Sequence, residues 1–200
     1  MPASDVVQIG LIVEGHGDAQ AAPVLIRRLV SVIDSNLSVA FQVRRIPKSQ
    51  LLQQGELERA VEALTRQIGR HRRLLVLIDA DDDCPKNLAA LMNDRCKTAH
   101  PDVSVSVVIA NKEYEAWFLA SARSLTGHSG LEKQLDPPNE PESIRGAKEW
   151  LSAHMAAGQS YSETRHQAAF SAVLDFSEAR LARSFKKLEK EVIRLVTQSK

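Results

Sequence analysis

Two hundred residues are enough for one well-cored domain and too few for two large ones, and 44% apolar with 26% charged residues is the balance of an ordinary soluble globular protein. No apolar stretch approaches the roughly 20 residues that cross a bilayer, and Met1-Pro2-Ala3-Ser4-Asp5 carries no basic region ahead of an apolar run, so neither a membrane span nor a secretory signal is expected. A net charge of +1 leaves nucleic-acid binding only to a local patch, and two cysteines without metal-ligand spacing, Cys84 and Cys96, point to the reducing cytoplasm.

Val6 to Val13 is an apolar run of strand length, ended by Glu14-Gly15-His16-Gly17-Asp18. A helical pattern follows, with Ala22, Leu25, Ile26, Leu29, Val30 and Ile33 on one face. Pro23 is expected in its first turns, where a missing N–H does little harm. Val39 to Arg45 reads as a second strand, and Leu57, Val61, Leu64 and Ile68 mark an amphipathic helix. Leu74 to Ile78 is a short buried strand that runs straight into Asp79-Ala80-Asp81-Asp82-Asp83. Pro85 opens a helix through Leu88, Leu91 and Met92, Val103 to Ile109 is a fourth strand, and Asn111-Lys112-Glu113 opens another helix. Such alternation predicts an α/β fold, a mostly parallel sheet flanked by helices, over residues 1–124. Residues 125–200 are expected to pack on that core as one domain overall. They form an irregular insert, rich in Gly, Pro and Ser, with one short helix around Ile144 to Met155. A C-terminal helical extension follows, with Leu181, Phe185, Leu188, Val192 and Leu195 at helical spacing.

Ligands of parallel α/β sheets bind outside the carboxyl ends of the strands. The acids fall there: Glu14 after the first strand, Asp79, Asp81 and Asp83 after the third, and Lys112, Glu113 and Glu115 after the fourth. Crowded carboxylates repel one another and lose hydration, and a divalent cation relieves both costs. Mg²⁺ suits an all-oxygen donor set, and there is no His–Cys set to favour zinc. In an extended Asp79-Ala80-Asp81 the two aspartates would point to the same side. Plainer roles exist for individual acids: Asp18 as a helix cap, Asp83 as a turn residue before Pro85, Glu113 and Glu115 at a helix start. Glu14, Asp79 and Asp81, three acids ending two buried strands, are harder to explain as caps. Gly15-His16-Gly17 imitates a dinucleotide fingerprint, but Gln20 stands at the third glycine position, and no P-loop sequence exists.

A hydrophobic strand ending in Glu14-Gly15 and a later one ending in Asp79-Ala80-Asp81 resemble the TOPRIM pattern of topoisomerases, primases and related nucleases. Glu14-Gly15-His16-Gly17-Asp18 looks like the version in overcoming-lysogenization-defect nucleases. Glu113-Tyr114-Glu115-Ala116-Trp117-Phe118-Leu119, with Tyr161-x-Glu163-Thr164, resembles a bacterial family of TOPRIM-like domains of unknown function, family 4276. This resemblance spans nearly the whole chain. It implies a Mg²⁺- or Mn²⁺-binding TOPRIM/Rossmann-like fold acting on phosphodiesters of DNA or RNA. Glu14, Asp79 and Asp81 would be central, Asp18, Asp83 and Glu115 additional ligands, and Lys112 the basic residue that stabilises phosphoryl charge. The chain carries no ATPase, strand-passing tyrosine or primase zinc module of its own, which speaks against topoisomerase and primase activity.

The expected activity is metal-assisted phosphodiester hydrolysis, in anti-phage defence. Competing with it are a non-catalytic subunit of a separately encoded ATPase and a metal-dependent phosphatase using Asp79-x-Asp81, although Asp83 departs from the phosphatase pattern. Arg183, Lys186, Lys187, Lys190 and Arg194 form a basic stripe along the last helix, diluted by Glu189 and Glu191, and Arg70, Arg72 and Arg73 form a second cluster. Either would serve nucleic acid, though such runs are more often solvated faces. Trp117 and Phe118 are expected in the core.

Overall fold

The computed structural model describes residues 6–69 and 72–197. Four strands, β1 (Val7–Val13), β2 (Val39–Arg45), β3 (Arg73–Asp79) and β4 (Ser104–Ala110), form one sheet in the order β2-β1-β3-β4, parallel throughout. The helices between them are α1 (His16–Ile33), the short α2 (Lys48–Leu51), α3 (Glu56–Ile68) and α4 (Pro85–Ala99). After β4 come α5 (Ala116–Ala120), α6 (Ala147–Ala153), a π-helical turn (Glu163–Gln167) running into α7 (Ala168–Val173), α8 (Phe176–Ala179) and α9 (Arg183–Thr197).

The period-two alternation of the strands divides the core into two layers. On β3, Leu75 and Leu77 face an apolar cluster containing Leu25 and Ile26 of α1, Trp117 and Phe118 of α5, Phe170 of α7 and Phe185 of α9. Leu74, Val76 and Ile78 face the other layer, with Leu57 and Leu64 of α3 and Met92 of α4. The C-terminal helices thus share one buried cluster with the sheet. Trp117 is fully buried, its indole N–H donating to Ser184 Oγ at 2.8 Å. Both cysteines are free thiols, Cys84 exposed and Cys96 buried.

Several local expectations need correction. The first helix starts at His16, ahead of its apolar face, because the Asp18 carboxylate accepts the Gly15 N–H at 2.8 Å. Pro23 therefore lies inside α1, where it has no N–H to offer the Ala19 carbonyl, and its ring is buried instead. Lys112 does not open a helix: its φ of 62° is left-handed, and α5 begins only at Ala116. Leu91 and Leu181 are exposed rather than core, Leu181 because it sits in the turn between α8 and α9. Of the second basic cluster, Arg70 lies outside the described residues, Arg73 is buried, and Arg72 pairs with Asp102.

The chain passes from β1 to β2 on one side and then back to β3 on the other. Connections leaving adjacent strands in opposite directions open a crevice at their carboxyl ends. Here that crevice lies between β1 and β3, where Val13 is in register with Leu77. Glu14 and Asp79 are the residues that emerge there.

Candidate functional site

Glu14 follows β1 and is partly buried. Its Oε1 accepts the Lys48 backbone N–H at 3.2 Å, while Oε2 is buried without a hydrogen-bond partner. Burial raises its pKa; the Lys48 N–H opposes this, and neighbouring Asp81 and Asp18 add to it. Asp79, the last residue of β3, accepts the Tyr114 N–H at Oδ1 over 2.8 Å. Burial, then repulsion from Glu115 and Asp18, holds its pKa well above the usual carboxylate range.

Two more acids close the floor. Asp18 takes the Gly15 N–H on Oδ2 and the Gln167 side-chain N–H on Oδ1, at 2.8 and 2.7 Å. Glu115 is 1% exposed and accepts the Tyr161 hydroxyl at 2.9 Å. Burial pushes its pKa up to about 7 even though Lys148 and Tyr161 pull it down.

The loop after β3 turns sharply. Asp81 has φ 49°, so Asp79 and Asp81 are not neighbours on one face of an extended segment, as the sequence suggested. Asp tolerates the left-handed region better than most residues. The turn is braced by the Asp81 N–H, which donates to the Lys112 carbonyl at 2.9 Å. Lys48, at the start of α2, clamps the loop from the opposite side. Its ammonium donates to the Ala80 carbonyl at 3.0 Å, pairs with Asp81, and lies 3.3 Å from Asp83.

A cleft of about 210 Å³ gathers Glu14, Gly15, Asp18, Asp79, Asp81, Glu115, Lys148 and Glu163. Among the described residues the lining thus has six carboxylates and one ammonium, that of Lys148 on α6, which pairs with Glu163 of the π-helical turn, while Asp81 pairs with Lys48 outside the lining. Burial opposes the Lys148 charge, but Glu115, Glu163 and Asp79 outweigh it and raise the pKa. Gly17 lets the two segments meet, since a Cβ there would stand 2.0 Å from Gln167 Oε1 and 2.8 Å from Glu163 Cβ.

Of the acids expected from sequence, Glu14, Asp18, Asp79, Asp81 and Glu115 line this cleft. Asp83 does not line it and reaches it only through Lys48. Lys112 also lies outside the lining, its ammonium 3.6 Å from Asp82. Lys48, Lys148, Glu163 and Gln167 were not singled out as site residues. Only the Tyr161-x-Glu163 pattern hinted at this part of the chain. On the C-terminal stripe, Lys187 and Arg194 both pair with Glu191; Arg194 donates to the Val105 carbonyl at 2.9 Å and Glu191 accepts the Ser106 hydroxyl at 2.7 Å, so Arg194 and Glu191 anchor α9 to β4.

The all-oxygen donor set is chemically suited to a hard divalent cation. Burial is the main cause of the upward pKa shifts of Glu14, Asp18, Asp79 and Glu115, with repulsion among the acids adding to it, and Glu14 Oε2 is left without a partner. Among the described residues, however, no group of three or more His, Cys, Asp or Glu side chains is arranged to hold a metal ion. Lys48, through Asp81, and Lys148, through Glu163, compensate part of the charge. Coordination would require side-chain rotation, which the Asp81 side chain, 59% exposed, has room to make.

A family model described as a domain of unknown function, DUF4276, matches residues 13–193. The chain belongs to this family. The matched span contains every residue that lines the cleft, from Glu14 to Glu163. No curated protein and no solved structure matches the chain.

Proposed function

We propose that this DUF4276 protein is a TOPRIM-like, Mg²⁺- or Mn²⁺-dependent nuclease that hydrolyses phosphodiesters of DNA or RNA. The observation that carries the reading is the convergence of Glu14 and Asp79 at the crevice between β1 and β3, with Asp81, Asp18 and Glu115 in the same cleft. Glu14, Asp79 and Asp81 would hold the ion, with Asp18 and Glu115 as further oxygen donors; Asp83, outside the cleft lining, would act only through Lys48. When bound, such a cation would supply water activation and charge neutralisation at the phosphoryl group.

The chain's own groups do the rest. Lys148 is the cation that lines the cleft and is placed to balance phosphoryl charge, the role the sequence assigned to Lys112. If a single ion is held by Asp79 and Asp81, the free Glu14 oxygen would instead accept the proton of an attacking water. Lys48 holds the Asp81–Asp83 loop in place. The test incubates purified protein with linear and supercoiled DNA, and with RNA, in Mg²⁺ or Mn²⁺. Cleavage is expected, and it should vanish in folded Glu14→Ala and Asp79→Ala variants. Cleavage that survives both substitutions overturns the assignment.

One observation favours a second reading. The acids are already partly neutralised by Lys48 and Lys148, as in a site that holds charge without turning over. On that reading the protein is the non-catalytic partner of a separately encoded ATPase in an anti-phage system. Co-purification with an ATPase encoded nearby, together with no cleavage by either the single chain or the complex, would favour it.

A further inference from the structure

The acidic cleft repels the polyanion that the proposed reaction requires, so attraction must come from beside it. We infer that the arginine-lined groove between the outer edge of β2 and α3 binds the sugar–phosphate backbone of a polynucleotide and feeds it to the cleft. The choice of partner rests on the hydrolytic reading above.

The groove encloses about 660 Å³ and is lined by Arg44 and Arg45 of β2 and by Arg59 and Arg66 of α3, with Glu56 and Glu62 among them. Each of those glutamates already has a cation. Glu56 pairs with Arg59 and Glu62 with Arg66, both along α3. Arg44 and Arg45 are exposed and have no ion-pair partner among the described residues. Four arginines against two glutamates give the lining an excess of positive charge in a protein whose total charge is only +1.

Its position connects it to the acids. β2 is an edge strand of the sheet, and Arg45 is in register with Val13, the residue before Glu14. The next residue, Ile46, donates its N–H to the Val13 carbonyl at 2.8 Å, and the Lys48 N–H reaches Glu14 itself. Neighbouring strands lie roughly 5 Å apart, so the backbone at Arg45 is one strand spacing from the residue that precedes Glu14. No aromatic side chain lines the groove. Base stacking is therefore not provided for, and contacts fall on phosphates, which carry no sequence information.

The test measures fluorescence anisotropy of fluorescein-labelled 20-nucleotide single strands and duplexes of two unrelated sequences, in EDTA, over a range of salt. The wild-type protein should bind both sequences alike. An Arg44→Ala/Arg45→Ala variant, checked for folding by circular dichroism, should bind about 10-fold more weakly, with a log–log salt slope smaller by about 2. A Lys186→Ala/Lys190→Ala variant on the exposed face of α9 should bind as the wild type does. Unchanged affinity and slope in the arginine variant overturn the groove, as does displacement of the oligonucleotide by poly-glutamate as readily as by unlabelled DNA. Arginine-dependent binding without any cleavage keeps the groove and removes the nuclease. Cleavage with binding indifferent to Arg44 and Arg45 does the reverse.

Discussion

The side-chain amide of Gln167 donates to Asp18 at 2.7 Å, joining the first turn of α1 to a π-helical turn 149 residues further along the chain. This bond, with Gly17 beneath it, brings Glu163 over the acids that end β1 and β3. A Cβ at Gly17 would meet both Gln167 Oε1 and the less yielding Glu163 Cβ. Gly17→Ala should therefore cost about 1–3 kcal/mol through overpacking, although alanine is the better helix former by about 1 kcal/mol. Urea denaturation measures it. A variant as stable as the wild type, or more so, would show that the two segments separate freely.

Glu115 makes stability depend on pH. Its ordinary value of 4.5 is raised to about 7 in the folded protein, chiefly by burial. Below pH 4.5 the carboxyl is protonated in both states and carries no penalty. Between 4.5 and 7 the unfolded chain ionises first, so stability falls as pH rises, by an order of about 3 kcal/mol in all. Glu115→Gln keeps an acceptor for Tyr161 and removes the titration. The stability difference, variant minus wild type, should grow from pH 4.5 to 7 and then level off. A difference that stays flat across this range would place the ionised carboxylate in a better-solvated setting.

The sheet and the ends of its strands were legible because they are written locally. β1 and β3 are unbroken apolar runs that stop at an acid, and their order in a parallel sheet puts those acids on one rim. Asp18 was readable in two ways, as a cap and as a site residue, and it caps Gly15 while lining the cleft. The left-handed turn at Asp81 was not readable, since it depends on a bond to Lys112 of another loop. Lys148 and Gln167 lie on short helical segments of the irregular C-terminal part. Their approach to the cleft is set by packing of α6 and α7 against the core, and no spacing in the sequence announces it. Within the basic stripe the pairing was not readable either: Lys187 and Arg194 sit on the polar face of α9, where Glu191 holds them both.

Glu191 gives α9 its acid sensitivity. Burial pushes its pKa up, but Lys187, Ser106 and Arg194 bind the carboxylate and bring it down to about 2. The folded value is below the unfolded 4.5, so this contribution is complete above pH 4.5 and is lost as pH falls towards 2. Glu191→Gln should lower stability at pH 7 by about 3 kcal/mol and by much less at pH 2.5. Thermal melts at the two pH values compare them. Equal losses at both would mean that packing, not charge, is what the glutamate supplies.

On the metal-dependent reading, Lys148 and a divalent cation would compete for the same carboxylates. Replacing the lysine by Met removes the one ammonium that lines the cleft among the described residues and leaves six acids there, of which Asp81 keeps Lys48. In EDTA, Lys148→Met should melt below the wild type, by about 1 kcal/mol or more, because buried charge without a partner is costly. Mn²⁺ should then raise its melting temperature by more than it raises that of the wild type, since the ion no longer has to displace an ammonium. Binding at 100 times the dissociation constant stabilises by about 2.7 kcal/mol, well within reach of a melting experiment. Asp79→Asn added to Lys148→Met should abolish the gain, because Asp79 sits at the centre of the β1–β3 crevice. If Mn²⁺ moves neither the single variant nor the wild type, the cluster is no metal site, and Lys148 is its permanent counter-ion.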